Sequence, residues 1–155
     1  MDVRPATTDD VEGVLPMVDK IAAMHKEMDP AKYNYFDDVG GMYRGWLADR
    51  AEDWRSVFLV ADAGGLLVGF LIGTVEHEIP IYHLEEYGFI HDLWVEEDYR
   101  HEGVARQLVT LALERFKAIG VAQVRCDTAS ANTVARGLFE RCGFRPSTVE
   151  MLVEL

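Results

Sequence analysis

The segment Val95-Glu-Glu-Asp-Tyr-Arg-His-Glu-Gly-Val-Ala105 decides how this chain folds, because it joins a predicted strand to a predicted helix. The strand covers residues 89–95, and residues 103–119 carry apolar side chains at helical spacing. The first turn of such a helix leaves backbone amides without intrahelical partners, and the helix dipole adds positive potential there. Gly103 and Ala105 are small, so a ligand can approach the backbone closely. The segment therefore predicts a turn that binds a pyrophosphate group.

The rest of the sequence supplies strands and helices on both sides of this turn. Periodicity, capping residues and breakers predict strands at 3–6, 57–61, 66–79, 121–127 and 149–155, and helices at 11–28, 39–51 and 133–142. The order β-α-α-β-β-β-α-β-α-β places antiparallel hairpins first and a βαβ crossover after them. It predicts an α/β (α+β) fold with a mixed, mostly antiparallel central sheet and helices on both faces. We expect residues 1–155 to form a single domain.

The composition narrows the classes of partner. The chain has 27 acidic and 15 basic residues, a formal net charge of -12, so we expect no nucleic-acid partner. The acidic surface either attracts cationic substrates or only keeps the protein soluble. The apolar stretches are too short to span a membrane and the N terminus does not resemble a signal peptide, so we expect no membrane partner and a cytoplasmic location. Cys126 and Cys142 are then expected to stay reduced.

Two motifs resemble those of the GNAT superfamily of N-acetyltransferases. The first has the family form Arg/Gln-x-x-Gly-x-Gly/Ala, and here it reads Arg100-His-Glu-Gly-Val-Ala105 after the strand end Leu93-Trp94-Val95. The second has the form Asn-x-x-Ala-x-x-x-Tyr-x-x-x-Gly-Phe, and here it runs from Asn132 to Phe144 with Phe in place of Tyr. The motifs occur in the family's order, and the order of elements agrees along essentially the whole chain.

The resemblance implies that the chain binds acetyl-CoA in an opening between two strands. Backbone groups of Leu93 and Val95 would bond the pantetheine arm, and amides near the start of the following helix would hold the pyrophosphate. A β-bulge near Asp92 would splay the strand of Leu93 from the strand of Arg125. The implied cofactor contacts are Leu93, Trp94, Val95, Arg100, His101, Glu102, Gly103, Val104, Ala105, Arg106, Asn132, Ala135 and Phe139. The five histidines show no metal-ligand spacing, so we expect no metal ion.

His91 is the first candidate for the general base that deprotonates an amine. It lies four residues before Val95, where the family often places a Glu or His that faces the acceptor, and its ordinary pKa suits proton transfer near neutrality. Strand alternation places His91 on the face of Leu93 and Val95, with Asp92 on the opposite face unless a bulge rotates it. The alternative is a histidine that is hydrogen-bonded inside the sheet.

Asp127 is the second candidate for the base, because it lies five residues before Asn132, where some family members carry a catalytic Glu. The alternative is a carboxylate that ends a strand or caps the approach to a helix.

Phe139 departs from the family pattern, because many members have a Tyr there that protonates the leaving thiolate. Phe has no such proton, so this role does not carry over, although the ring could pack against the pantetheine or the thioester. Solvent or another donor, such as Tyr87, Tyr99 or His91, would have to supply the proton.

The resemblance places acceptor recognition on the first two helices, their connection and the loop before Phe89. Ring faces and carboxylates together suit a cation. The candidate substrate-binding residues are therefore Tyr33, Phe36, Glu85 and Glu86. The alternatives are ordinary packing under a loop and solvated carboxylates.

The sequence thus predicts an N-acetyltransferase that moves the acetyl group of acetyl-CoA to a primary amine of a small molecule or peptide by direct attack. One alternative is a non-catalytic acyl-CoA-binding regulatory module, which the Phe at position 139 leaves open. Another is a protein-interaction domain that uses its sheet edge. A homodimer is compatible with the resemblance, and the sequence leaves the oligomeric state open.

Overall fold

The computed structural model describes residues 1–155. Its strands are β1 (Asp2–Pro5), β2 (Val57–Asp62), β3 (Leu67–His77), β4 (Glu86–Val95) and β5 (Val124–Cys126). Its helices are α1 (Val11–Met28), α2 (Val39–Glu52), α3 (Val104–Ile119) and α4 (Thr133–Arg141). None of these helices has the length and apolar character that crossing a membrane requires.

The five strands form one sheet in the order β1-β2-β3-β4-β5. Neighbouring strands are antiparallel except β4 and β5, which run parallel because α3 crosses over between them. One apolar core packs between the sheet and helices α1 and α2, and a second packs between the other face and helices α3 and α4. The predicted fold class, a mixed and mostly antiparallel sheet with helices on both faces, is confirmed.

The predicted strand over 149–155 is wrong as a description of the folded monomer. These residues form no helix or strand, and no backbone hydrogen bond involves residues 145–155. The alternating pattern specifies one apolar face, but a strand also needs a neighbouring edge to pair with. The strand predicted over 121–127 is also shorter than expected, since only Val124–Cys126 pair with β4.

A β-bulge interrupts the pairing of β3 with β4. Ile72 is opposite Asp92 whereas the next residue of β3, Gly73, is opposite Ile90, so His91 is an extra residue on β4. The resemblance implied such a bulge near Asp92, and the register confirms it.

The bulge corrects the predicted face of His91. His91 contacts Trp46 of α2, with 5.3 Å between ring centroids, and Asp92 accepts a hydrogen bond from Tyr43 of the same helix. Both side chains therefore point to the layer of α1 and α2. Leu93 packs instead against the core beneath α3, so the expectation that His91 shares a face with Leu93 and Val95 is wrong. Simple alternation fails because the extra residue shifts the period by one.

The pairing of β4 with β5 ends where the bulge begins. Gly88, Phe89 and Ile90 are opposite Val124, Arg125 and Cys126, and no later residue of β4 has a partner on β5. Beyond Ile90 and Cys126 the strands are no longer paired, and this end of the ladder, called the opening below, precedes the turn before α3. Leu93 lies beyond this ladder, whereas Arg125 is still paired with Phe89, so the separation of the strands at Leu93 and Arg125 that the resemblance implied stays a prediction.

The fully buried ring of Phe116 lies against two glycines in the paired part of the sheet. A Cβ atom on Gly88 would lie 2.7 Å from the Phe116 ring, and one on Gly73 would lie 2.8 Å from it. These positions admit no side chain because the ring is enclosed by the core and cannot move aside.

We expect Gly88→Ala to lower the free energy of unfolding by about 1–3 kcal/mol, because the added methyl overpacks the core. Gly45→Ala is the matched control, since a Cβ at this exposed position in α2 meets no atom within 4 Å. It should raise the free energy of unfolding by about 0.5–1 kcal/mol, because alanine is the better helix former. Urea unfolding of both variants measures this, and equal effects would contradict the packing argument.

Candidate functional site

The turn before α3 presents a row of free backbone amides. Gly103 precedes the helix in the left-handed region at φ 83°, and His101 has φ 65°. The first helical hydrogen bond runs from the Gln107 N–H to the Gly103 carbonyl at 3.0 Å, and the N–H groups of residues 102–106 have no acceptor in the protein. A Cβ built on Gly103 meets no atom within 4 Å. The amides thus face open space at a helix N terminus, a geometry that suits a phosphate group.

Arg100 connects this turn to the end of β4. Its Nε donates to the Val95 carbonyl at 2.8 Å, and its guanidinium lies 4.7 Å from the centroid of the Trp94 ring. The side chain therefore links the end of β4 to the residues that precede α3. Its other N–H groups remain for a ligand, so bracing and a charge-assisted contact are compatible.

The second motif forms the start of α4 and part of the core. The Asn132 side chain accepts a hydrogen bond from the Ala135 N–H at 3.1 Å and so caps the helix. Phe139 is buried and packs edge-on against Phe144, with 5.1 Å between ring centroids. Ala135 packs against the same core. Phe139 therefore anchors α4 to the sheet through apolar contacts.

A hydrogen-bonded chain holds the His91 ring. The Thr74 hydroxyl is 2.7 Å from Oε1 of Glu76 and 2.7 Å from Nε2 of His91. An ionised carboxylate can only accept, so the single hydroxyl proton of Thr74 goes to Glu76. Nε2 of neutral His91 must then carry a proton and donate it to the Thr74 oxygen. The free lone pair of the ring is therefore on Nδ1.

The surroundings of His91 favour its neutral form. Trp46 and Phe89 pack against the ring, with centroid distances of 5.3 and 5.0 Å, and 28% of the side chain stays exposed. Burial lowers the pKa of His91, and the nearby charge of Glu76 partly opposes this effect. A neutral and partly accessible imidazole can accept a proton near neutral pH.

Asp92 is a half-buried carboxyl beside His91 that the sequence did not single out as a site residue. Burial raises its pKa to about 6, although the hydrogen bond from the Tyr43 hydroxyl, 3.0 Å long, acts in the opposite direction. The same contact and burial raise the pKa of Tyr43. Asp92 and Tyr43 thus form a second proton-binding pair on the face of His91.

The connection between α1 and α2 adds aromatic rings to this face. Tyr33 stacks on His25 with 4.7 Å between ring centroids, and the Tyr35 ring lies 6.0 Å from that of Tyr33. Burial raises the pKa of Tyr35, and the charge of Asp92 adds to that rise. Rings and carboxylates therefore lie together here, and the role of Tyr33 in substrate binding stays a prediction.

Asp127 follows β5 directly and is exposed. Its side chain makes no hydrogen bond within the protein, but its charge acts on Tyr33 and Lys32 of the α1–α2 connection. The contacts of His91 do not include it. Asp127 therefore lies near the α1–α2 connection, separate from the chain formed by Thr74 and Glu76.

The other predicted acceptor residues lie elsewhere. Glu86 begins β4, at the end opposite the opening, and is paired with Arg55 at 2.8 Å and with His77 at 3.3 Å. Glu85 is exposed in the preceding loop, and Phe36 is 80% exposed between α1 and α2. The structure does not bring these three side chains into contact with His91 or Asp92.

Sequence reasoning missed Thr74, Glu76 and Tyr43. Thr74 and Glu76 alternate along β3 as any strand residues would, and Tyr43 has the spacing of an ordinary helix residue. Only the register between β3 and β4 brings Thr74 to His91. The signal that would have found it is a buried threonine, which needs a hydrogen-bond partner.

The raised pKa of Asp92 gives a prediction about stability. The folded protein keeps this proton up to about pH 6, while the unfolded carboxyl loses it near its ordinary pKa of 3.8. The protonated Asp92 therefore contributes its full stabilisation below the ordinary pKa of 3.8, and this contribution is lost as the pH rises through the folded pKa of about 6. Asn cannot ionise, so we expect Asp92→Asn to gain about 2 kcal/mol over the native chain between about pH 4 and pH 8.

Urea unfolding of both proteins at the two pH values measures this gain. Asp49→Asn, on the exposed face of α2, controls for the loss of a charge in general. The same pH dependence in the native chain and in Asp92→Asn would contradict the prediction.

Residues 21–144 match the model of the acetyltransferase (GNAT) family. The uncharacterized N-acetyltransferase YhfO of Bacillus subtilis (strain 168) is 23% identical over 148 residues, which cover 96% of this chain and 92% of YhfO. N-acetyltransferase 8 of Homo sapiens is 26% identical over 108 residues, which cover 70% of this chain. The chain spans 45% of the length of that human relative.

Solved structures show the same fold. A mutant of the BH1408 protein from Bacillus halodurans has a TM-score of 0.88 and 20% identity, with 100% of this chain and 99% of that chain covered. The aminoglycoside acetyltransferase AAC(6')-Iy, solved in complex with the bisubstrate analog CoA-S-monomethyl-acetylneamine, has a TM-score of 0.71 and 18% identity. That match covers 99% of this chain and 97% of the other.

Proposed function

Because the chain belongs to the GNAT acetyltransferase family and is thus an acyltransferase, we propose that it moves the acetyl group of acetyl-CoA to a primary amine by direct attack. The observation that carries this proposal is the cradle of free amides at residues 102–106, in the turn that follows the part of β4 not paired with β5. The solved relative AAC(6')-Iy was captured with a coenzyme A derivative, which supports the same choice of cosubstrate.

The cofactor would lie between β4 and β5. The amides of residues 102–106 would hold the pyrophosphate, and Arg100 would add a positive charge beside it. The backbone of Leu93 and the N–H of Val95 would bond the pantetheine arm, because no β5 residue is paired with this part of β4. The Val95 carbonyl already accepts a hydrogen bond from Arg100. Asn132 would act chiefly by capping α4, since its side-chain oxygen already accepts the Ala135 N–H.

His91 would be the general base. The reaction requires a neutral amine nitrogen, which attacks the thioester carbon while the carbon–sulfur bond breaks and coenzyme A leaves as a thiolate. Nδ1 of His91 would take the first proton of the ammonium, because Thr74 and Glu76 engage Nε2. The nitrogen would lose its second proton to solvent after the carbon–nitrogen bond forms. Glu76 would stabilise the imidazolium that forms.

The acceptor would be a cationic amine that enters from the layer of α1 and α2. Tyr33 and Tyr35 would offer ring faces, and Asp92 and Asp127 would offer negative charge on either side of the opening. The formal charge of -12 would add long-range attraction. Because position 139 in α4 is Phe, no tyrosine hydroxyl is available there to protonate the thiolate of coenzyme A. Solvent in the opening would supply this proton.

The base assignment makes a prediction about the pH dependence of kcat/KM. The charge of Glu76 raises the pKa of His91, so Glu76→Gln should lower that pKa and move the acidic limb of the profile to lower pH. The Tyr43 hydrogen bond lowers the pKa of Asp92, so Tyr43→Phe should raise the pKa of Asp92 and leave the limb in place. Thiol release from acetyl-CoA across a panel of amines supplies the rate.

The pair of variants separates the two possible bases. If Tyr43→Phe moved the limb to higher pH and Glu76→Gln left it unchanged, Asp92 would be the base and His91 would not. An absence of amine-dependent thiol release in the native chain would instead favour the non-catalytic acyl-CoA-binding module.

The cradle makes a separate prediction about cofactor binding. Gly103 and Gly120 both adopt left-handed backbone at the two ends of α3, so alanine at either should cost about 1 kcal/mol of stability. Only Gly103→Ala should weaken acetyl-CoA binding, by about tenfold or more, because a methyl group would enter the space in front of the amides. Calorimetric titration measures it, and equal affinities of the two variants would refute the cradle.

A further inference from the structure

A groove runs along the partly exposed face of α3 and is closed by the end of α4. Its volume is about 360 Å³, within the range of about 300–1,000 Å³ that small-molecule sites occupy. Because α3 turns once every 3.6 residues, one stripe of side chains lines the whole groove. This stripe consists of Arg106, Thr110, Leu113 and Lys117, and the end of α4 adds Arg141 and Cys142.

The groove concentrates positive charge in an acidic protein. Arg106, Lys117 and Arg141 line it, and Glu114 is the one acidic side chain among them. Eight of the 15 lysine and arginine side chains of the chain form salt bridges, but none of these three does. Like charges repel one another, and a cleft with one sign of charge attracts ions of the opposite sign. The groove is therefore suited to an anionic ligand.

Two of the cations approach the same part of the groove from different helices. Burial raises the pKa of the Cys142 thiol, and the positive charges of Arg106 and Arg141 partly oppose this rise. Both guanidinium groups thus lie within electrostatic reach of one atom of the groove lining. Guanidinium groups form charge-assisted hydrogen bonds with phosphate oxygens, so this arrangement suits a phosphate monoester.

The groove begins where the cradle of free amides ends. The N–H of Arg106 is the last free amide of the cradle, whereas the side chain of Arg106 lines the groove. In acetyl-CoA one ribose carries both the pyrophosphate and a 3′-phosphate, so the 3′-phosphate would lie one sugar ring from the cradle. Residues 96–102, which lead into the cradle, carry four carboxylates against one arginine. The charges therefore favour a 3′-phosphate in the groove.

We propose that Arg106 and Arg141 bind the 3′-phosphate of acetyl-CoA and make this chain prefer that cosubstrate to the form with a free 3′-hydroxyl. Lys117, farther along α3, would add positive potential. The inference rests on the acetyl transfer proposed above. It goes beyond that proposal because Arg141 stands at a position that the second motif leaves unspecified, so the preference would belong to this chain and not to the motif.

Calorimetric titration with acetyl-CoA and with 3′-dephospho-acetyl-CoA tests the proposal. The native chain should bind acetyl-CoA about tenfold or more tightly, because a hydrogen bond between charged groups contributes about that factor. Arg106→Gln and Arg141→Gln should each lower this ratio severalfold. Both should leave the affinity for the dephospho form unchanged, since the backbone amides of the cradle remain. Arg115→Gln is the matched control and should keep the ratio, because Arg115 is exposed on α3 outside the groove.

The titrations distinguish failure of the 3′-phosphate site from failure of the proposed reaction. Equal affinities of the native chain for the two compounds would overturn the 3′-phosphate site and leave the cosubstrate in place. A ratio that persists in the chain with both Arg106→Gln and Arg141→Gln, or that is lost in Arg115→Gln, would overturn the assignment to this groove. If neither compound bound, both the cosubstrate and the 3′-phosphate site would be wrong.

Alkylation of Cys142 by iodoacetamide locates the phosphate independently of the titrations. Adenosine 3′,5′-bisphosphate should slow the alkylation of Cys142, because this thiol lines the groove, and should leave that of Cys126 in β5 unchanged, because the fragment has no pantetheine arm. Mass spectrometry measures both rates. Equal protection of Cys142 by inorganic phosphate would mean that the groove binds free anions, and no protection by the bisphosphate would place the 3′-phosphate elsewhere. Either result would overturn the proposal.

Discussion

Backbone pairing along β4 is the constraint on which the rest of the structure depends. The first half of the strand is bonded to β3 on one side and to β5 on the other, whereas the second half keeps only β3. The extra residue, His91, stands where this change occurs. The bulge therefore does two things at once: it ends the parallel ladder, and it turns two neighbouring polar side chains to the same face.

The free amides and the polar side chains around His91 consequently lie on opposite faces of the sheet. The turn of free amides belongs to the layer of α3, and the histidine with its carboxylates belongs to the layer of α1 and α2. The opening between β4 and β5 connects the two layers. Rigid packing keeps this geometry, since the Phe116 ring fills the space over Gly73 and Gly88 beside the opening. A loose sheet at that point would leave the distance between the two half-sites undefined.

The parts of this structure that depend on local sequence could be predicted. Helical periodicity gave α1 to α4 nearly to the residue, and the turn at Gly103 followed from a small residue between a strand and a helix. The face of His91 could not be predicted, because one inserted residue reverses the alternation along β4. The residue types around position 91 do not indicate where the insertion lies. Its partner Thr74 is 17 positions away and meets it only through the register of β3 with β4. Residues 149–155 alternate as a strand would but form none, because alternation specifies an apolar face and does not supply a neighbouring edge to pair with.

The hydroxyl of Thr74 has a consequence for which sequences can occupy this fold and keep its site. Only 6% of the surface of Thr74 is exposed. A valine has nearly the same shape and would pack equally well at this position. Valine would nonetheless break the hydrogen-bonded chain from His91 to Glu76, because it has no oxygen to accept from Nε2 of His91 and no proton to donate to the Glu76 carboxylate. Serine would preserve the connection at the cost of one methyl contact. A position with the surroundings of any buried strand residue thus favours a hydroxyl side chain, because the position of a single proton connects His91 to Glu76.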